Sequence, residues 1–154
     1  QGTPNGASKF VKARLAMAVI ADMILMTIPI SLMTFLAGLT AVEVLCLAGF
    51  GLLIAVGSSM IAIGVTAKNP DYEDTKSPAH QTNQMTAMML PMVCIMASVF
   101  ILIALSILDL DVLIENALSP LGFELLFSLS GPFIILLVGV AYVSSGIKSL
   151  SSPE

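Results

Sequence analysis

Four long apolar runs separated by short polar stretches organise the chain. They cover about Phe10–Ala37, Ala41–Ala67, Met85–Leu108 and Gly122–Ile147. Each exceeds the ~20 residues that cross a ~30 Å hydrocarbon core at about 1.5 Å per residue. In lipid, an open-ended segment satisfies its own backbone N–H and C=O groups only as a helix. The pattern therefore predicts an all-α, polytopic membrane bundle of four transmembrane helices. A shorter element is predicted between the last two spans. In DLDVLIENALSPLG, Leu110, Leu113, Ile114 and Ala117 recur at helical spacing, and Ser119-Pro120 ends the pattern. That combination reads as a short amphipathic helix on the outer interface, within a loop over 108–121.

Composition agrees with the pattern. Of 154 residues, 57% are hydrophobic and 10% charged, and the mean hydropathy is +1.01. Soluble domains carry roughly a quarter charged residues, so this chain lacks the charge to cover a water-facing surface.

The positions of the charges predict a topology. Lys9, Lys12 and Arg14 lie at the start of the first run, Lys68 and Lys76 between the second and third, and Lys148 after the fourth. With four spans, all of them fall on one side. The opposite connections, Gly38–Thr40 and Asp109–Leu121, hold no Lys or Arg; they carry Asp109 and Asp111, flanked by Glu43 and Glu124. The positive-inside rule then puts both ends and the loop over 68–84 in the cytoplasm. Residues 1–14 become a basic cytoplasmic segment and 15–154 the transmembrane domain of a multi-pass cell-membrane protein.

Breakers and small residues predict how the helices meet. Pro29 sits deep in the first span, where it should kink the helix; Pro91 and Gly131-Pro132 interrupt the third and fourth. Such breaks persist where neighbouring helices satisfy the freed carbonyls, which implies packed rather than isolated spans. In the second span, Gly51, Ala55, Ser59 and Ala62 form a stripe of small residues, and Gly57 and Gly64 are one heptad apart. Small side chains let membrane helices approach closely, within one chain or between two copies.

Candidate chemistry is sparse. Asp22 is the one ionisable residue well inside a span, about 12 residues or roughly 18 Å from Phe10. An intramembrane carboxylate costs a few kcal/mol and faces the protein interior, a polar cavity or another subunit. It is either a translocation-path contact or a hydrogen-bonded carboxyl packed against a Ser or Thr. Glu43 and Glu124 open the second and fourth helices, where the helix dipole favours a carboxylate. Met85, Met88, Met89, Met92 and Met96 read as going around the third span, as flexible packing rather than a copper(I) path. His80 reads as a surface histidine, and Cys46 and Cys94 as spectator thiols in apolar runs. No nucleotide-binding P-loop, catalytic constellation, metal motif or nucleic-acid-binding basic face is present in the sequence. The expectation is a non-enzyme with no metal site or cofactor of its own. The loop AKNPDYEDTKSPAHQTNQ carries Asp71, Glu73 and Asp74 around Tyr72, either as a solvated loop or as a docking surface.

Three segments together resemble the C-terminal half of a permease subunit of a type 2 ATP-binding-cassette (ABC) exporter. TPNGASKFVKARL places a proline and basic residues ahead of a span. GVTAKNPDYED closes the second span with a Pro-Asp-aromatic-acidic run, and an amphipathic helix separates the last two spans. The resemblance covers about residues 3–108 and implies further spans before this chain. It implies a permease that couples to a separate cytoplasmic ATPase, with ATP and magnesium on that partner, and works with a second permease copy or half. Lys9, Lys12, Arg14, Asp71, Glu73 and Asp74 are the implied coupling residues, and Asp22 the implied path contact. The competing expectation is a small accessory or structural subunit of a larger membrane complex.

Overall fold

The computed structural model describes residues 6–70, 77–117 and 120–151. Five helices follow one another: α1 Gly6–Ala37, α2 Ala41–Lys68, α3 Pro78–Ile107, α4 Leu110–Ala117 and α5 Pro120–Ser151. Among the described residues there is no strand. Four of the helices are long and apolar enough to cross a membrane, and α4 is the short connector between α3 and α5.

Local chemistry sets the ends of these helices. Gly38 follows α1 at φ 64°, a left-handed conformation that glycine adopts without steric cost. Thr40 then caps α2. The Glu43 backbone N–H donates to Thr40 Oγ1 at 3.4 Å, while the Thr40 backbone N–H donates to Glu43 Oε2 at 2.8 Å. This reciprocal pair is a capping box, and it accounts for the carboxylate at position 43. Helix α2 stops at Lys68, before Pro70.

Helix α3 starts earlier than its apolar run. Ser77 caps it, accepting the His80 backbone N–H at 3.0 Å, and Pro78 takes the first turn. Proline is preorganised there and its missing N–H costs nothing. Residues 78–84, expected in a loop, are therefore helical. Helix α5 likewise extends beyond the predicted Gly122–Ile147 at both ends.

Helices α2 and α5 form the centre of the bundle and share its most extensive interface, with α1 and α3 flanking them. The α2–α5 pair is parallel: Gly57 lies against Ile135 and Leu136, and Gly64 against Tyr142 and Val143. Helix α1 is antiparallel to α2, since Asp22 meets Ser59 and Met26 meets Gly51. Helix α3 is antiparallel to α5, with Ser98 against Gly131. The first turns of α1 and α3 and the last turns of α2 and α5 thus share one end of the bundle. A small core of Ile61, Val65, Cys94 and Ile135 ties α2, α3 and α5 together.

The prolines occupy different surroundings. Pro91 and Pro132 are buried where helices meet, while Pro29 is exposed within α1. All three lie inside continuous helical elements.

Candidate functional site

Asp22 is half-buried on α1, and Ser59 of α2 donates its hydroxyl to Asp22 Oδ2 at 2.5 Å. The partner comes from the small-residue stripe of α2. That stripe faces α1: Gly51 lies under the Met26 side chain, and Ala62 lines a crevice with Phe10, Val11 and Arg14. Small residues here bring α1 close enough for a serine and an aspartate, both short, to meet across the interface.

The heptad pair Gly57 and Gly64 faces a different way. A Cβ on Gly57 would sit 2.8 Å from Ile135 Cγ2 and 3.0 Å from the Leu136 backbone nitrogen. Helix α5 answers with its own heptad pair. A Cβ on Gly139 would meet the Gly57 carbonyl oxygen at 2.8 Å, and one on Gly146 the Gly64 carbonyl oxygen at 2.9 Å. Four glycines therefore set the α2–α5 distance. Gly139 and Gly146 escaped the sequence reading, although they repeat the seven-residue spacing of Gly57 and Gly64.

The shared end is held by polar contacts. The buried Asn83 donates its side-chain amide to the Asn69 carbonyl at 2.9 Å, at the end of α2. Ser149 of α5 donates to the Lys68 carbonyl at 3.2 Å. Lys68 Nζ lies 6.0 Å from the Tyr142 ring centre, and the Arg14 guanidinium 5.2 Å from that of Phe10. Such cation–aromatic contacts anchor long basic side chains where apolar surface meets water. Asn83 was invisible as an anchor in the sequence because it stood in an apparent loop.

The predicted coupling residues divide in two. Lys9, Lys12 and Arg14 occupy the first turns of α1 and are exposed. Asp71, Glu73 and Asp74 lie outside the described residues, so the structure neither joins nor separates them from the basic group; the side chain of Glu124 is also outside. Every described Lys and Arg is at the shared end, whereas Glu43, Asp109 and Asp111 are at the other.

The methionines of α3 require a correction. Met85, Met88, Met89, Met92 and Met96 do not go around the helix: all five are exposed, between 56% and 69%. Spacings of three and four residues put them on one face. No described group of three or more His, Cys, Asp or Glu is placed to hold a metal ion. His80 is exposed in the first turn of α3, Cys46 is exposed and Cys94 is buried.

Outward apolar surface defines the class. Phe35, Met17, Ile28, Ile107 and Leu45 are each two-thirds exposed or more, as lipid-facing side chains are. The chain is a polytopic helical membrane protein with four candidate spans. Comparison with protein-family models, curated proteins and solved structures finds no match to it.

Proposed function

We propose that this chain is part of the membrane-spanning permease of an ATP-driven exporter of the ABC type. In this reading it forms one wall of a translocation path and couples to a separate cytoplasmic ATPase. The observation that carries the proposal is the Asp22–Ser59 pair, a carboxylate held inside the spans between two helices. A merely packed carboxyl would make the same bond to Ser59, so the support lies in the cost of keeping an ionisable group at that depth. The start of α1 and the end of α2, which belong to the stretches that resemble such permeases, share one end of the bundle. In this reading that end, which carries the described basic residues, faces the cytoplasm, as the positive-inside rule would have it.

The path surface would run along α1 and the small-residue face of α2. Alternating access requires contacts that differ between two states. A single serine hydroxyl bridging α1 and α2 is a contact of the kind that can break and re-form. Lys9, Lys12 and Arg14, with the acidic loop residues Asp71, Glu73 and Asp74, would pass the motion from the ATPase to α1 and α2.

A second reading, an accessory subunit of a larger membrane complex, is favoured by the exposed methionine face of α3. Flexible thioethers suit a packing surface for another helix.

Purification of the native complex in mild detergent, with mass spectrometry of its components, separates the readings. The permease proposal expects a P-loop ATPase in near-stoichiometric yield. Recovery of other membrane subunits without an ATPase contradicts it. Within the recovered complex, Asp22→Asn should lower transport while assembly stays intact, because asparagine keeps an acceptor for Ser59 but removes the ionisable carboxyl. Unchanged transport would remove Asp22 from the path.

A further inference from the structure

At the shared end of the bundle, the first turns of α1 and the last turns of α2 and α5 leave a crevice of about 340 Å³. Its walls include Phe10, Val11, Ala62, Ile63 and Leu150, and Arg14 is the one charged residue among its described lining. From this crevice we infer a binding site for one anionic phospholipid, its acyl chain between α1 and α2 and its phosphate on Arg14.

Depth supports the assignment. Helix α1 has 32 residues, about 48 Å at 1.5 Å per residue. That exceeds a ~30 Å hydrocarbon core by roughly 9 Å at each end. Arg14 therefore lies near the boundary between acyl chains and headgroups. Its guanidinium turns back over Phe10, one helical turn nearer the end of the bundle, as a snorkelling side chain does. A lipid headgroup occupies this layer, with its acyl chains directly beneath.

Charge supports it too. Lys9, Lys12, Lys68 and Lys148 surround the same end, and the described carboxylates outside mid-span are at the opposite end. Basic pockets between membrane helices favour anionic headgroups. Free phosphate would meet the charge but leave the apolar walls unused. The competing occupant for Arg14 is the acidic run Asp71–Asp74, which follows Pro70, itself on the crevice wall.

The inference stands whether or not the chain works with an ATPase. The test is native mass spectrometry of the full chain released from detergent, after incubation with phosphatidylglycerol or with phosphatidylcholine of the same acyl chains. One retained phosphatidylglycerol, with little phosphatidylcholine, is expected. Arg14→Gln should cut retention about fivefold, the value of one cation at an anionic surface. Thr66→Leu, which fills the crevice mouth and leaves every charge in place, should also cut it. Ala62→Leu serves as a deeper filler should Thr66→Leu leave retention unchanged because leucine points outward. Lys148→Gln should have little effect.

Three results would overturn the site. Equal losses from Arg14→Gln and Lys148→Gln would make the attraction diffuse. Displacement of the lipid by millimolar inorganic phosphate would leave the apolar walls without a part. Retention untouched by Arg14→Gln and by both fillers would place the lipid elsewhere on the protein.

Discussion

Gly64 and Gly49 lie on the same helix, yet an added methyl group meets different surroundings at each. At Gly64 a Cβ would sit 2.5 Å from the Tyr142 carbonyl carbon and 2.7 Å from the Val143 backbone nitrogen. Backbone cannot swing aside, so Gly64→Ala should force α2 and α5 apart, at about 1–3 kcal/mol. At Gly49 nothing lies within 4 Å. Gly49→Ala should be neutral or stabilising by up to ~1 kcal/mol, since alanine is the better helix former. Thermal unfolding in detergent checks both, and equal Tm shifts would refute the packing. The contrast was half legible. The heptad spacing of Gly57 and Gly64 marked a close approach, but the partner surface on α5 depends on helix direction and register. Asp22 behaves similarly: its intramembrane position was plain from sequence, whereas Ser59 becomes its partner only once α1 and α2 are aligned antiparallel.

Helix ends separate what the chain encodes locally from what it encodes at a distance. The Thr40–Glu43 capping box needs only residues three apart, and the carboxylate at a helix start could be read directly. The early start of α3 needed the Ser77-Pro78 signal to outweigh hydropathy, because His80-Gln81-Thr82-Asn83-Gln84 is a polar run. Asn83 is then buried by tertiary packing, donating to the carbonyl of Asn69, the residue that follows α2. Asn83→Leu should remove this hydrogen bond and cost about 1 kcal/mol. Thr82→Val, on an exposed turn of the same helix, should cost far less. Denaturant unfolding of the two variants in mixed micelles provides the comparison, and equal stabilities would remove the Asn69–Asn83 contact from the architecture. The methionines carry a parallel lesson. Their spacings put them on one face, which reading them as going around the helix overlooked, and the structure shows that this face points outward.

At the scale of the whole molecule, charge and packing divide the bundle in the same way. The described lysines and arginines gather where α1 and α3 begin and α2 and α5 end. Capping and connecting carboxylates gather at the other end. The count of four spans followed from segment length, and the all-α class from the requirements of lipid. The order of packing, α1 and α3 against a central parallel α2–α5 pair, did not follow from either. It rests on glycines 57, 64, 139 and 146, whose pairing is a three-dimensional fact. Both the proposed coupling face and the proposed lipid site depend on this common end facing one aqueous compartment. Cysteine labelling in sealed membrane vesicles tests that dependence most directly. In a Cys46→Ser, Cys94→Ser background, Lys9→Cys and Ser151→Cys should react with a membrane-impermeant maleimide from the same side. Val112→Cys, on α4, should react only from the other. Labelling of Lys9→Cys and Ser151→Cys from opposite sides would contradict the four-span bundle.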